Sequence, residues 1–204
     1  MSSSTTRLQG NQTLFDLDLG PNLTLDLAPD ADVRYCSVVG LQQLVKRVHF
    51  TLGDRARLTV TTVVVGAGDD HLTVDYTVQH AGRGSRAHTL VKGAFTGSAS
   101  AEVLGLIRID PTAQQTESFL EQRALLLSDA TRVNLQPKLQ IEADDVRASP
   151  AATLGQLAAA RVATKMGLRA DGPDSLTLLN NTFSGNKKTA QVSASINFTH
   201  EGNT

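Results

Sequence analysis

The chain has 204 residues, of which 40% are hydrophobic but only 4% aromatic, so a core must be built from Val, Leu, Ile and Ala. The net charge of −1 argues against nucleic acid or anionic lipid as a partner, and no run of roughly 20 apolar residues predicts a membrane-spanning helix. The lone cysteine, Cys36, excludes an intramolecular disulfide, and the polar stretch Met1–Gln12 does not resemble a signal peptide, so we expect a cytoplasmic protein.

Alternating apolar and polar residues begin near Thr13 and predict the first strands. Leu14 and Asp16 alternate with Phe15 and Leu17, and a second alternating run, residues 23–27, follows a Gly-Pro-Asn turn. Two such runs separated by turn residues predict a strand pair joined by a turn. Further strands are predicted over residues 33–39 and 44–52.

Corners of small or polar residues then recur at nearly constant spacing. Gly53, Gly68, Gly82, Gly97 and Thr112 follow one another at intervals of 15, 14, 15 and 15 residues. The runs rich in strand-forming residues cover 58–65, 72–78, 88–95, 101–109 and 136–143. Such regular spacing is typical of a β-solenoid, a sandwich, a barrel or a meander of antiparallel hairpins.

Two features favour a two-sided solenoid, in which two intervals make one coil of about thirty residues. The corners lack the Asn-Gly pairs of tight hairpins. The runs at 103–107 and 125–127 are continuously apolar, as in strands that are covered on both faces. We therefore predict a mainly β protein with a solenoid body over residues 1–157.

The remaining residues, 158–204, are predicted to form a short helical C-terminal region that ends in a strand or tail. Residues 158–166 favour a helix, which Gly167 or Gly172 can end. A second helix is predicted over 174–183, because Leu176, Leu179 and Phe183 fall on one helical face.

Five motifs follow one another between Thr89 and Leu157. They are LVKG at 90–93, PTAQQT at 111–116, RALLLSD at 123–129, PKLQIEADDV at 137–146 and ATLGQL at 152–157. In this order they resemble the core of the SufB/SufD family, the scaffold subunits of the SUF iron–sulfur cluster assembly system, and the final motif is closer to SufD. The resemblance implies a right-handed parallel β-helix with flanking helical parts.

The resemblance also implies partners. SufB and SufD pair with each other, and each binds a copy of the ABC-type ATPase SufC, so this chain is expected to be a shortened, non-enzymatic SufD-like subunit. The expected ATPase contact is the face formed by Leu176, Leu179 and Phe183, laid into a groove of the partner. An iron–sulfur cluster would be bound at the level of the complex.

One departure from the family pattern bears on cluster chemistry. Where SufD usually has Cys-Ser-His, this chain has Ala148-Ser149-Pro150. Neither Ala148 nor Pro150 offers a thiolate or an imidazole to iron. We therefore expect this chain not to ligate a cluster directly.

Two alternative functions depend on other features. A stand-alone iron-handling or cluster-handling protein would use Cys36, the weak metal candidate, together with histidines. A self-associating solenoid, possible as a homodimer, would pair the exposed strands of its last coil. The histidines show no metal-type spacing, although a solenoid would allow His71 and His88 to approach each other across a coil; they are His49, His71, His80, His88 and His200.

The acidic group formed by Glu142, Asp144 and Asp145 has two possible roles. It could bind a hard cation or relay iron. The favoured interpretation is a corner whose carboxylates accept backbone N–H groups.

Overall fold

Twelve strands, placed alternately in two six-stranded sheets, build the body of the protein in a computed structural model. The structure describes residues 5–17, 19–40 and 44–156, together with the backbone of 168–170 and 176–178. The strands are β1 (Thr5–Leu8), β2 (Asn11–Asp16), β3 (Asn22–Leu27), β4 (Asp32–Val39), β5 (Val45–Leu52), β6 (Arg57–Gly66), β7 (His71–His80), β8 (Arg86–Phe95), β9 (Ser100–Ile109), β10 (Thr116–Leu126), β11 (Arg132–Ile141) and β12 (Val146–Gln156).

Every strand of the body pairs in parallel with the strand two places along the chain. The odd-numbered strands form one sheet, the odd sheet, in the order β1-β3-β5-β7-β9-β11, and the even-numbered strands form the even sheet. This arrangement is a two-sided parallel solenoid with one strand of each sheet per coil, which confirms the predicted fold class. The predicted strand pair at residues 13–27 is wrong, because β2 pairs with β4 and β3 with β1 and β5.

Side chains alternate between the interior and the two outer faces along each strand, as the period of two requires. In β6 the burial alternates from Arg57 to Gly66 without a break. The interior is filled mainly by Val, Leu, Ile and Ala, as the composition predicted. Three aromatic residues form one edge-to-face cluster near the N-terminal end, with the Tyr35 and Phe50 ring centroids 5.3 Å apart and Tyr35 and Tyr76 6.3 Å apart.

The evenly spaced corners form two stacked columns, one at each end of the flattened coil. Gly68, Gly97 and Ser128 belong to one column: Ser98 N–H donates to Gly68 O at 2.7 Å, and Gly97 N–H donates to Ser128 Oγ at 3.0 Å. Gly53 and Gly82 belong to the other. The interval of about 15 residues seen in the sequence is therefore half a coil, since successive corners alternate between the columns.

Close stacking explains why Gly82 is required. A Cβ at this position would lie 2.1 Å from Asp54 N and 2.2 Å from Gly53 C, both backbone atoms of the corner below. We expect Gly82→Ala to lower the free energy of unfolding by about 3 kcal/mol or more, because two corners must move apart. Urea unfolding measures this, with Gly155→Ala as the control, whose new Cβ would meet only Leu125 Cδ1 at 3.6 Å. Equal losses in the two variants would contradict the stacking argument.

The coils grow longer toward the C-terminal end. Thr5 lies beside Thr24, 19 positions later, Arg57 beside Arg86, 29 positions later, and Ser100 beside Arg132, 32 positions later. The strands lengthen in step, from four residues in β1 to eleven in β10. The predicted coil of about thirty residues therefore holds for the later coils and overestimates the first.

Two further strands, β13 (Leu168–Ala170) and β14 (Leu176–Leu178), pair antiparallel with each other. The helix predicted over 174–183 is therefore wrong at residues 176–178. Leu-Thr-Leu alternates with a period of two and contains a β-branched residue, so a strand is as compatible with it as a helix. The first predicted helix at 158–166, along with Leu179 and Phe183, lies outside the described residues. The division at residue 157 stays a prediction, although β12 ends at Gln156.

Over the ranges that the structure describes, no helix is long and apolar enough to cross a membrane.

Candidate functional site at the terminal coil

β11 and β12 make up the terminal coil, where both sheets end. β11 is the last strand of the odd sheet and β12 the outermost of the even sheet, so each has a strand neighbour on one side only. An unpaired strand edge presents backbone N–H and C=O groups that another strand can bind. The terminal coil therefore presents backbone groups to a partner, as β1 and β2 do at the opposite edges of the two sheets.

The direction of the backbone hydrogen bonds shows which residues present those groups. Outward-facing residues donate their N–H toward the preceding coil, as in Arg57 N to Ala31 O at 2.7 Å and Arg86 N to Ala56 O at 2.8 Å. In a parallel strand the next residue points its N–H the other way. In β12 an inward-facing residue such as Ala148 therefore directs its N–H group to the free edge.

A proline occupies one of these free-edge positions in each strand of the terminal coil. Pro137 of β11 lies in register with Gly105, and Pro150 of β12 lies in register with Leu120. Because proline has no N–H, each interrupts the free edge near its middle, yet neither removes a hydrogen bond from the ladder to the preceding coil. A partner strand can thus bind only on either side of the prolines.

Ala148 and Pro150, the positions where the SufD pattern has Cys and His, face the interior of the terminal coil. Ala148 lies in register with Ser118 and Pro150 with Leu120, both inward-facing in β10. Neither side chain carries an atom that binds a metal. At these two positions the chain therefore supplies no ligand.

The sequence did not single out the polar side chains buried one coil below. Ser118 Oγ and both amide atoms of Gln122 are buried and have no hydrogen-bond partner among the described residues. Ala148 and Ala152 lie in register with them in the terminal coil. Ser118 and Gln122 could have been recognised in the sequence as polar residues at those positions of an alternating strand that otherwise carry buried apolar residues.

His80 is buried at the end of β7, in the middle of the odd sheet between β5 and β9. Its Nδ1 lies 2.8 Å from Ser85 Oγ, and the Ser85 hydroxyl donates to Gly82 O at 2.9 Å. Nδ1–H must therefore be the donor to Ser85, which leaves Nε2 unprotonated, and Nε2 has no partner within the described part of the chain. Burial lowers the pKa of His80 to about 4, and the nearby Asp110 carboxylate only partly opposes this.

This histidine predicts an acid-sensitive stability. Since its pKa is depressed in the folded state, only the unfolded chain binds the proton between about pH 6.5 and pH 4. The free energy of unfolding should therefore fall by about 1.4 kcal/mol for each pH unit below 6.5. Urea unfolding at pH 7 and pH 5 tests this, and His80→Gln should lose about 2 kcal/mol of the difference. His88→Gln, on the outer face of β8, is the control; the same pH dependence in both variants would refute the assignment.

A second buried polar group lies nearer the N-terminal end of the body. Lys46 and Asp16 form an ion pair in which each side chain is only 1% exposed, and Tyr35 donates its hydroxyl to the same Asp16 carboxylate. Lys46 also donates to Gly20 O at 2.7 Å, and Asp16 accepts the Leu19 N–H at 2.9 Å. Burial is the main cause that raises the pKa of Tyr35, so its hydroxyl stays protonated. Each charged side chain in this group has a partner, as expected of residues that stabilise the fold.

Cys36 lies half-buried on the outer face of the even sheet, between Phe15 and Thr61. Of the histidines, His71 begins β7 in the odd sheet and contacts Ser100, whereas His88 lies in the even sheet beside Thr59 and Phe119. The approach of His71 to His88 that a solenoid would allow does not occur, because the two residues belong to different sheets. His200 lies outside the described residues.

No group of three or more His, Cys, Asp or Glu side chains able to hold a metal is found in residues 5–17, 19–40 and 44–156. Cys36 as a metal ligand thus remains a prediction, and in those ranges it belongs to no such group of three.

The acidic corner after β11 makes its contacts in an unexpected way. Asp145 uses its backbone: its N–H donates to Gln114 Oε1 at 2.9 Å and its carbonyl accepts the Gln115 N–H at 2.6 Å. Glu142 accepts a hydrogen bond from the Gln140 amide at 2.8 Å. These contacts differ from the favoured interpretation: the backbone of Asp145 makes its hydrogen bonds, and the Glu142 carboxylate accepts a side-chain rather than a backbone N–H.

The predicted partner-binding face, Leu176, Leu179 and Phe183, is not tested by the structure. Leu176 lies in β14, and the other two residues lie outside the described ranges.

Comparison with known proteins identifies relatives. Residues 22–162 match the family model described as SUF system FeS cluster assembly, SufBD core domain. The chain is 36% identical over 107 residues to the iron–sulfur cluster assembly protein SufD of Bacillus subtilis, covering 52% of this chain and 24% of that protein. It is 31% identical over 126 residues to an iron–sulfur cluster assembly SufBD family protein of Synechocystis, covering 61% of this chain and 27% of that protein.

A third relative is the chloroplastic protein ABCI7 of Arabidopsis thaliana, 36% identical over 76 residues, which cover 37% of this chain and 16% of that protein. The chain thus spans about a quarter or less of the length of these relatives.

Proposed function

This chain belongs to the SufBD core family of the SUF iron–sulfur cluster assembly system, and from that premise we propose that it is a SufD-like scaffold subunit without enzymatic activity. The observation that carries the proposal is the parallel solenoid with free strand edges at its terminal coil. A rigid body with free strand edges is suited to holding other subunits in place, because strand edges bind further strands through backbone groups.

The proposed partner at this open end is a SufB-like subunit. The free edge of β12 presents a backbone donor at Ala148, beside the interruption at Pro150. The contact would consist of short stretches of strand pairing. It would therefore favour a partner whose edge strand tolerates the missing N–H donor at Pro150. The same prolines oppose pairing between two copies of this chain, which favours the heteromeric complex over the self-associating solenoid.

Cluster chemistry is proposed to take place on the partner side of the complex. Ala148 and Pro150 occupy the positions where the SufD pattern has Cys and His, and neither side chain can ligate iron. The cluster would then be bound at the level of the complex, with this chain acting as support in the cytoplasm.

The third component is a SufC-type ABC ATPase. We propose that it docks on the C-terminal region through Leu176, Leu179 and Phe183, the apolar residues that the sequence places in this part of the chain. Since 176–178 form a strand, the contact at Leu176 would be made from an extended segment rather than from a helix face.

Co-expression with SufB-like and SufC-like subunits, followed by size-exclusion chromatography, tests the proposal. The expected result is one peak containing all three chains, and Phe183→Asp should remove the ATPase but retain the SufB-like subunit. Separate elution of this chain under every condition would refute the scaffold role. If the separate chain gave an iron–sulfide absorption band that disappears in Cys36→Ser, the stand-alone cluster-handling function would replace it.

A further inference from the structure

The free edge of β2 is unlike the edges of the terminal coil. Asp32 N–H donates to Gly10 O at 2.9 Å, so outward-facing residues of the even sheet direct their backbone groups toward the preceding coil. In β2 the outward-facing residues are Asn11, Thr13 and Phe15, and no described strand precedes β2 in its sheet. Their N–H and C=O groups therefore point to a free edge. None of the three is a proline, so the whole length of this edge is open to strand pairing.

Exposed apolar side chains lie at the same edge. Phe15 is 73% exposed, and Leu17 and Leu19, which follow β2, are 65% and 52% exposed. These are the three most exposed large hydrophobic side chains in the described part of the chain. Proteins usually protect a free edge strand with charges, prolines or bulges, because unpaired backbone groups bind other strands. The outward-facing positions of β2 carry neither a charge nor a proline, so this edge is unprotected.

A cation beside this edge has no counter-charge. Arg34 of β4 is exposed, lies in register with Thr13, and has no hydrogen bond or ion pair among the described residues. The neighbouring Asp32 carboxylate is 3.9 Å from Arg57 Nη1. A strand added beside β2 would place a residue two strand spacings, about 10 Å, from Arg34, a distance that extended Arg and Glu side chains span together. The space between them is a groove of about 230 Å³ lined by Asn11, Gln12, Thr13, Asp32 and Arg34.

We infer that the free edge of β2 binds an extended segment of a partner protein, with an acidic residue opposite Thr13 and an apolar residue opposite Phe15. The backbone groups of the edge pair with the segment, Arg34 binds its carboxylate, and Phe15 packs against its apolar side chain. This site lies at the opposite edge of the even sheet from the terminal coil, and before residue 22, where the family match begins. The inference therefore goes beyond the proposed function and does not depend on it.

The size and charge of the edge favour such a segment over a second copy of this chain. Six residues of strand are about 20 Å long and about 10 Å across with their side chains, which gives roughly 200 Å². A stable dimer needs about 800 Å² from each partner. The outer face of β2 in a second copy would offer Asn11, Thr13 and Phe15, none of which supplies a carboxylate to Arg34.

A synthetic peptide, Thr-Val-Thr-Glu-Thr-Val-Thr, is the probe. Its sequence is the same in both directions, so it serves parallel and antiparallel pairing equally. We titrate it into the full chain and follow amide NMR signals and hydrogen exchange. The amides of Thr13 and Phe15 should exchange rapidly in the free chain and become protected at saturation. Those of Gln12 and Leu14, which face β4, should be protected throughout.

Variants separate the backbone contact from the charge. Thr13→Pro removes an N–H from the free edge only, so it should weaken peptide binding at least about tenfold without lowering the unfolding midpoint. Arg34→Gln, or Gln in place of Glu in the peptide, should each weaken binding about threefold, and both together no further. Lys92→Gln removes an exposed cation from the same face of β8 and should bind the peptide as the wild type does.

Two results would overturn the inference directly. One is a peptide that leaves the Thr13 and Phe15 amides unchanged, and the other is equal affinity for the wild type and Thr13→Pro. Additive losses from Arg34→Gln and the Gln peptide would refute the acidic residue opposite Thr13. If sedimentation equilibrium showed a dimer of the free chain that Thr13→Pro dissociates, a second copy would occupy the edge, which would also overturn the inference.

Discussion

Replacing Lys46 by methionine is expected to lower the free energy of unfolding by about 3–5 kcal/mol. Lys46 is buried and ion-paired with Asp16, so its removal leaves a carboxylate in the interior without a counter-charge. Tyr35 and the Leu19 N–H continue to donate to that carboxylate, but two neutral donors do not replace a full charge. Urea unfolding of the full chain at pH 7 measures the loss.

The double variant Lys46→Met/Asp16→Asn separates the charge from the packing. Asparagine keeps a carbonyl for the Leu19 N–H and removes the unpaired charge, so we expect most of the lost stability to return. The control is Arg55→Met, which breaks the ion pair with Asp30, where both side chains are more than half exposed. It should leave the midpoint of unfolding unchanged. A double variant no more stable than Lys46→Met would show that packing, rather than charge, is responsible.

Ala148→Pro is expected to weaken binding of the SufB-like subunit by at least about tenfold and to leave the solenoid as stable as before. Ala148 faces inward, so its N–H points to the free edge of β12 and not to β10. A second proline beside Pro150 therefore removes a donor from the partner contact only. The measurement is a titration of the labelled SufB-like subunit, together with thermal unfolding of the variant alone.

Arg147→Pro is the matched variant one residue away. Arg147 faces outward and lies in register with Glu117, so its N–H belongs to the ladder with β10. The substitution should lower the unfolding midpoint, since it removes a hydrogen bond inside the body. If Ala148→Pro bound the SufB-like subunit as tightly as the wild type, the partner contact would have to lie away from this edge.

Much of the body could be predicted from the sequence because its regularities are local. The spacing of Gly53, Gly68, Gly82 and Gly97 reflects corners that must stack, and close stacking tolerates only small residues. The alternation of buried and exposed side chains then follows, because successive residues of a pleated strand point to opposite faces of the sheet. The family resemblance covers the same part of the chain and led to the same solenoid.

The interior polar groups could not be predicted, because a period of two does not say which side is inside. In β2 the exposed residue is Phe15, and the buried one is Asp16. The contact with Lys46, thirty residues further along the chain, supplies the counter-charge that this arrangement needs. His80 and Gln122 are similar: their burial depends on neighbours in other coils, whose register is set by the corners.

Strand pairing at the start of the chain failed for a related reason. The turn at residues 20–22 looks like a hairpin connection, yet β2 and β3 belong to different sheets. A hairpin and a solenoid corner use the same residue types. They differ in the pairing of the strand that follows the turn. Here that strand, β3, pairs in parallel with β1 and β5 instead of antiparallel with β2.

The lengthening of the coils, from 19 residues between Thr5 and Thr24 to 32 between Ser100 and Arg132, gives the body a narrow end and a broad end. A tapered stack is directional, so its two ends cannot be exchanged and a binding protein can distinguish them by width alone. It also limits how such a chain can grow in evolution. A duplicated coil would fit without mismatch only in the broad half, where neighbouring turns have nearly equal circumference.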